Sequence, residues 1–218
     1  MALSFPLTLA QFFTGLAKVS YAARLDEAVQ FNETTGGEVI SADFGARLWR
    51  ADLTIRANTY LTLDQVVAKV ELIQQAAASV RLGHAWRAGP QADPTGSILG
   101  ASTPEITNVN SNRRDVTIGS LPAAYVLTEG DLLSFSYLSS PTRFAFHRVM
   151  NTVTANGSGV ASNVELSPPV RPGEVTPFAI TLVNPFFKAV YVPGSYIPPP
   201  QSRSVRTELS LSFRQTLR

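Results

Sequence analysis

Few residues of this chain have side chains suited to metal or acid–base chemistry. His84 and His147 are the only histidines, and cysteine is absent. Neither histidine has a second His or a carboxylate nearby at metal-ligand spacing. His84 follows the end of a predicted helix, where it makes a favourable C-terminal contact, and His147 lies inside a predicted strand. The sequence therefore predicts no metal site and no cofactor.

Nucleophile and phosphate-binding motifs do not occur either. The stretch Gly157-Ser-Gly159 lacks the glycines two residues to each side of the serine that a nucleophile elbow requires, and Asn156-Gly157 is typical of a hairpin tip. Gly36-Gly37 is too short for a phosphate loop, and no helix follows it. These patterns favour a protein that is not an enzyme.

Carboxylate pairs leave one enzymatic alternative open. The two carboxylates of a glycoside hydrolase can be far apart in sequence, and only the fold brings them together. The acidic residues that stand close in this sequence are predicted to be solvated turn residues. They are Asp26, Glu27, Glu129 and Asp131.

Aromatic side chains offer two kinds of binding surface. Trp49, Trp86, Tyr191, Tyr196 and the pair Phe186-Phe187 supply faces on which a sugar could stack, although Trp49 lies on the buried parity of a predicted strand. Phe186, Phe187 and Tyr191 fall in a predicted loop, where exposed phenylalanines are costly. A protein partner that buries this loop and a loop folded over its own barrel are equally compatible with the pattern.

The bulk composition describes a globular protein without a strong charge. The 218 residues are 44% hydrophobic and 16% charged, and the net charge is +2. That balance is too weak to indicate a nucleic-acid-binding protein. No window approaches the roughly 20 apolar residues of a membrane span. The apolar segment Leu3 to Phe13 is interrupted by Pro6 and is predicted to be an edge strand or an arm laid on a partner rather than a signal peptide.

Periodicity predicts a mainly β fold with one principal α-helix. Polar and apolar residues alternate in Trp49–Ala57 and Val205–Phe213, which indicates half-buried strands. Turn chemistry at Asn32–Gly37 predicts a hairpin. A helix is predicted from Thr62, as N-cap, to Arg81 and Gly83, with apolar residues at helical spacing. Short strands are predicted near residues 106–109, 114–118, 132–137, 143–153, 160–166 and 178–183.

Two Gly/Pro-rich segments predict the domain organisation. Gly89–Gly96 and Val192–Pro200 flank the run of short strands. We therefore predict that residues 1–88 and 201–218 form one domain, a β-sandwich or sheet with a helix. Residues 89–200 form an inserted small β-barrel or β-sandwich of galectin-like or OB-like type.

Four motifs of the second module carry a family resemblance. In chain order they are Glu129-Gly-Asp-Leu-Leu-Ser-Phe135, Ser140-Pro-Thr-Arg-Phe-Ala-Phe-His-Arg-Val149, Ala155-Asn-Gly-Ser-Gly159 and Ser167-Pro-Pro-Val-Arg-Pro-Gly173. They resemble the tail-tip proteins of long-tailed phages and of phage-derived gene transfer agents. The likeness is best to the distal tail protein, which forms a ring between the tail tube and the tip hub.

The resemblance implies a virion structural protein of the tail tip, made in the bacterial host cytoplasm. Its partners would be five further copies of itself in a six-subunit ring, the tail tube protein and the hub protein, with tail fibres or host glycans as further candidates. DNA would pass through the channel without specific binding, which suits the near-neutral charge. The alternative from another class is a carbohydrate-binding module for attachment to the host surface.

The subunit contacts of such a ring are predicted on the polar faces of the two alternating strands. Arginine and carboxylate side chains there suit pairing across an interface. The predicted interface residues are Arg50, Asp52, Arg56, Arg206, Glu208 and Arg214.

Overall fold

The computed structural model describes residues 4–13, 17–43, 45–57, 59–84, 87–138, 140–198 and 207–217. The fold is mainly β, with 42% strand and 9% helix, and it comprises a half-barrel sheet and a nearly closed barrel-like sheet. The predicted fold class is therefore confirmed. In chain order the elements are α1 (Leu9–Phe13), β1 (Ala17–Leu25), β2 (Val29–Glu33), β3 (Val39–Asp43), β4 (Trp49–Ala57), α2 (Tyr60–Ile73), β5 (Val80–Gly83), β6 (Glu105–Val109), β7 (Asp115–Gly119), β8 (Val126–Leu127), β9 (Leu132–Tyr137), β10 (Arg143–Val149), β11 (Val153–Thr154), β12 (Ala161–Ser167), β13 (Phe178–Ala179), β14 (Phe186–Tyr191) and β15 (Thr207–Gln215).

The first sheet has the strand order β1-β4-β15-β14-β5 and is antiparallel throughout. Every second residue of β4 is buried, from Trp49 to Ala57, as the alternating pattern predicts. Leu209, Leu211 and Phe213 of β15 share this core. A sheet with one buried face gives that alternation because successive side chains point to opposite faces.

Helix α2 covers the apolar face of this sheet but differs from the prediction at both ends. Thr59, rather than Thr62, is the N-cap, because its side chain accepts the N–H of Thr62. The helix ends at Ile73 instead of continuing to Arg81. Residues 80–83 form strand β5, whose pairing with β14 overrides the helical spacing of Val80.

The N-terminal segment combines an arm with a short helix. Leu7 forms a parallel bridge with Val80, donates its N–H to Ser79 O and accepts the N–H of Arg81, so this segment lies along the outer edge of β5. The predicted extended arm is wrong beyond Thr8, where α1 begins. Phe12 on that helix is buried against the ring of Phe213 with centroids 5.8 Å apart, which explains why a helical turn is stable here.

The second sheet has the order β13-β6-β7-β12-β10-β9. Ser134 on β9 exchanges both backbone hydrogen bonds with Thr181, two residues after β13, and this pair nearly closes the barrel. Strands β8 and β11 form a separate two-stranded ladder. The interior is a second apolar cluster that includes Ile106, Leu133 and Leu166.

Strand β14 corrects the prediction of a loop at residues 183–192. Phe187 and Ala189 are fully buried and alternate with partly buried neighbours, which is strand periodicity. Strand β14 pairs with β5 and β15 of the first sheet, although its residues fall within the predicted 89–200 module. The approach to β5 is so close that a Cβ on Gly83 would lie 2.1 Å from the carbonyl oxygen of Pro185.

The two sheets meet through aromatic side chains. The indole N–H of Trp49 on β4 donates to Phe146 O on β10 at 2.9 Å, and their rings pack edge to face with centroids 4.9 Å apart. Phe187 completes the group, with its centroid 5.3 Å from that of Phe146. Phe146 and Leu132, which belong to the second sheet, therefore lie in the core of the first.

Candidate functional site

Five of the six predicted interface residues lie on the polar face of the first sheet, and two cross-strand pairs there involve them. The register places Arg56 opposite Glu208 and Asp52 opposite Ser212. Arg56 Nη2 donates to Glu208 Oε1 at 2.6 Å, and Asp52 accepts the Ser212 hydroxyl at 2.6 Å. These bonds are intramolecular cross-strand pairs, which the alternation alone does not reveal because it does not show that β4 and β15 are neighbours.

Two further arginines of this polar face contact Asp52. Arg24 on β1 contacts Asp52 Oδ2 at 3.1 Å, and Arg50 contacts Asp52 Oδ1 at 3.8 Å. Arg214 lies opposite Arg50 and is exposed. Arg206 lies outside the described residues. Because these ion pairs are about half exposed, each contributes at most about 1 kcal/mol of stability.

The three residues of the predicted partner-binding loop have different surroundings. Phe187 is fully buried between Trp49 and Phe146, so its ring has no surface left for a partner. Phe186 is partly buried beneath Arg81, whose guanidinium lies 4.6 Å from the ring centroid. The hydroxyl of Tyr191 accepts the N–H of Tyr196 at 3.0 Å.

The β2–β3 hairpin carries several exposed apolar side chains close together. All ten residues of its two strands are exposed, and among the described strands each pairs only with the other. Phe31 is 63% exposed, Val39 60% and Ile40 56%. The hairpin is joined to the first sheet at its base, where the N–H of Asp26 donates to Leu48 O. It therefore extends the β1–β4 pair as a ribbon about 17 Å long.

Both faces of this hairpin carry apolar side chains. The register places Phe31 opposite Ser41 and Val39 opposite Glu33, so Phe31 and Val39 share one face. Ile40 lies opposite Asn32 on the other face. An isolated two-stranded hairpin is marginally stable in water, and contact with its own core could bury only one of these two faces. The turn signal predicted the hairpin, but its separation from both cores depends on tertiary structure.

An unpaired strand edge lies beside the hairpin. Strand β1 is the last strand of the first sheet, and among the described strands it pairs only with β4. The opposite edge strand, β5, is partly covered by the arm at Leu7. A nine-residue edge with free backbone groups is a template for pairing with another chain.

Two buried carboxylates were not predicted from the sequence. Asp131, predicted to be a solvated turn residue, has no exposed surface and accepts the N–H groups of Gln91 at 2.7 Å and Thr128 at 2.8 Å. Asp93 accepts the N–H groups of Ile98 and Leu99. Burial acts to raise the pKa of Asp93, but these backbone bonds outweigh it and lower the pKa. Both carboxylates are fully used in holding loops.

The two histidines lie in different environments. His147 is buried in β10, where Nδ1 lies 2.7 Å from Pro168 O and the ring stacks on Phe135. Its burial lowers the pKa to about 4, and the charge of Arg171 acts in the same direction. His84 follows β5 rather than a helix, and its Nδ1 accepts the N–H of Arg87, so the predicted helix-end contact is wrong.

Neither a metal-binding cluster nor a membrane-spanning helix occurs among the described residues. In the described part of the chain, no three His, Asp or Glu side chains cluster as a metal site requires. None of the described helices has the length and apolar character that crossing a membrane requires. Comparison with protein-family models and with curated proteins finds no match for this chain.

Proposed function

We propose that this chain is a structural subunit of a phage or gene-transfer-agent tail tip. Six copies form a ring that links the tail tube to the hub and leaves a channel for DNA ejection. The tail-tip assignment is supported by the four motifs between Glu129 and Gly173, and self-assembly is supported by the exposed hairpin. In this proposal the protein is not an enzyme, and it resides in the virion after synthesis in the host cytoplasm.

The observation that carries self-assembly is the apolar β2–β3 hairpin. Phe31, Val39 and Ile40 would each contribute roughly 1.5–3 kcal/mol to the free energy of association if their side chains became fully covered. Because the apolar groups lie on both faces, the occupant must surround the ribbon. In a ring, each subunit contacts the next one through one surface and the previous one through a different surface. A neighbouring copy of the chain can therefore cover both faces of the hairpin.

The open edge of the first sheet provides the matching contact. Strand β1 presents unpaired backbone groups beside the base of the hairpin. If β1 pairs with the sheet of the next copy, the half-barrel sheets become continuous around a lumen. Such a head-to-tail contact closes into a ring when a whole number of rotations from one subunit to the next completes a full turn.

The polar face of the first sheet suits a surface that DNA passes. Four arginines and three carboxylates contribute to it, so its charge is close to balanced. They are Arg24, Arg50, Arg56, Arg214, Asp26, Asp52 and Glu208. A strongly basic lumen would retain DNA through phosphate contacts, whereas paired charges release it. In this arrangement the ring-forming unit is the first sheet with α1 and α2, and the barrel-like sheet projects from it.

The solution mass and shape of the full chain test this proposal. Light scattering should give about 141 kDa, six times the 23.5 kDa chain, and negative-stain images of the same peak should show open rings. A double variant, Phe31→Ser with Ile40→Ser, should shift the mass toward that of a monomer.

The matched control removes exposed apolar groups elsewhere. Val175 and Ile197 are each 82% exposed and lie outside the hairpin, so Val175→Ser with Ile197→Ser should leave the ring intact. A wild-type chain that stays monomeric at high concentration, or a hairpin variant with unchanged mass, would contradict assembly through the hairpin.

One observation favours the alternative of a carbohydrate-binding module. A cavity of about 180 Å³ is lined by Phe144, Phe186 and the hydroxyl side chains of Ser134, Ser136 and Thr181. Arg81, however, already lies over the ring of Phe186, which limits stacking on that residue. A glycan array that gives a hit for wild type and none for Phe144→Ala would favour the alternative.

A further inference from the structure

A second cavity lies where the two sheets meet. Its volume is about 230 Å³, and its walls come from β1, β4, β9 and β10 and from the end of β5. Leu132, Phe146 and Trp49 are nearly fully buried and form an apolar floor. Sites for drug-sized ligands usually measure about 300–1,000 Å³, so this cavity suits a single small ring or a short aliphatic chain.

Among the described residues that line this cavity, the charged side chain is an arginine, which only donates. Arg148 is exposed at its mouth, with the guanidinium carbon 5.2 Å from the centre of the Trp49 ring. His84 lies on the same rim, and burial together with the charges of Arg87 and Arg148 lowers its pKa. No acidic residue lines the cavity in the described part of the chain. The local charge at the mouth is therefore positive.

Tyr21 also lines the cavity, and its hydroxyl is buried. This oxygen has no hydrogen-bond partner among the described residues and is shielded from solvent. Burial raises the pKa of Tyr21, so the group remains a neutral donor across the physiological range.

We propose that this cavity binds a carboxylate attached to a small apolar body. Arg148 pairs with the carboxylate, and the floor formed by Leu132, Phe146 and Trp49 takes the apolar body. Arg87 does not line the cavity, and its guanidinium lies 3.5 Å from the carboxylate of Asp131. With Arg148 as the principal cation beside an apolar floor, a singly charged carboxylate fits better than a phosphate, which needs more positive charge. This site does not depend on ring assembly.

Benzoate is a suitable probe for this chemistry, and calorimetric titration of the full chain measures its binding. Benzamide, which has the same ring without the charge, should bind about tenfold more weakly or worse. N-acetyl-phenylalanine compared with its amide tests whether the end of a polypeptide chain can supply the carboxylate. Binding of benzoate alone would assign the site to a free small acid.

Two variants locate the bound probe. Arg148→Gln should weaken benzoate binding about tenfold, whereas Arg114→Gln, which removes an exposed arginine from the β6–β7 turn, should change it less than twofold. Ala23→Leu should fill the cavity and abolish binding, with circular dichroism confirming that the variant is folded. Equal affinity for benzoate and benzamide, or no heat of binding at millimolar benzoate, would overturn the proposal even if a variant fails to fold.

Discussion

At the residue scale, the buried polar side chains of the second sheet have the most direct physical consequences. The Nδ1 of His147 faces the carbonyl of Pro168, which only accepts, so Nδ1 carries the proton and the ring is neutral. Its Nε2 is buried and has no hydrogen-bond partner among the described residues. Protonating this ring would place a charge in an apolar interior, which is why burial holds its pKa near 4.

The first prediction concerns the pH dependence of stability. Because the pKa of His147 is about 4 when folded and about 6.5 when unfolded, the unfolded chain binds more protons between these values. Above pH 6.5 this histidine does not reduce the free energy of unfolding, because it is neutral in both states. As the pH falls toward 4, it lowers the free energy of unfolding by about 3 kcal/mol. Urea denaturation of wild type and His147→Asn at pH 7 and pH 4 should show a smaller loss in the variant.

Carboxylates that titrate in the same range affect both proteins, so the difference between the two curves isolates His147. His84→Asn is the comparison, because the pKa of His84 is also lowered but its side chain is exposed, so its curve should lie closer to wild type than that of His147→Asn. Parallel curves for wild type and His147→Asn would show that the buried imidazole does not resist protonation.

The second prediction concerns the buried carboxylate of Asp131. Replacing it with Ala leaves the N–H groups of Gln91 and Thr128 and the guanidinium of Arg87 without their acceptor. We expect a loss of about 3 kcal/mol in the free energy of unfolding. Glu129→Ala, on the exposed part of the same turn, should stay within about 0.5 kcal/mol of wild type in urea denaturation. Similar losses in both variants would refute a special role for Asp131.

At the element scale, helix α2 distinguishes local signals from tertiary ones. The capping motif predicted from the sequence placed the N-cap at Thr62, but the hydroxyl of Thr59 accepts the N–H of Thr62 at 3.1 Å. Strand β4 ends at Ala57, just before Thr59. The end of the preceding strand therefore decides where the helix begins.

The third prediction follows from this assignment of the N-cap. Thr59→Ala should destabilise the protein by about 1 kcal/mol because the cap bond is lost. Thr62→Ala should change stability by less than about 0.5 kcal/mol, since alanine is the better helix former and only a hydroxyl contact disappears. Thermal denaturation of both variants ranks them, and a larger effect for Thr62→Ala would reverse the assignment.

At the scale of the whole molecule, an aromatic contact joins the two sheets. Phe146 and Leu132 come from the barrel-like sheet but pack in the core of the first sheet. The Trp49 indole hydrogen bond to Phe146 O crosses the same boundary. A shared core of this kind couples two sheets, whereas a hydrated boundary would let them unfold independently.

The fourth prediction is that wild type unfolds in one calorimetric transition. Trp49→Ala should remove the shared contact, lower stability by roughly 3–5 kcal/mol and separate the transitions of the two sheets. Trp49→Phe keeps a ring but loses the indole hydrogen bond, so it should lower the melting temperature while retaining a single transition. Two resolved transitions in wild type would contradict coupling through Trp49.

The sequence by itself determined the features that depend on local periodicity and turn chemistry. Alternation in Trp49–Ala57 predicted both a strand and its buried face, and Asn32–Gly37 predicted a hairpin. Side-chain direction in a strand alternates with every residue, so these features need no knowledge of neighbours. The mainly β class and most strands of the second sheet follow from the same signals.

Tertiary structure alone decided which strands are neighbours and which polar groups are buried. Residues 186–191, predicted to be a loop, form a core strand because β14 pairs with β5 and β15. The same pairing places Val80 in a strand, although its spacing predicted a helix. The same kind of long-range contact buried Asp131 and paired Arg56 with Glu208 inside one subunit. Strand partners far apart in sequence are selected by the free energy of packing the whole chain, and a local pattern contains no information about that partner.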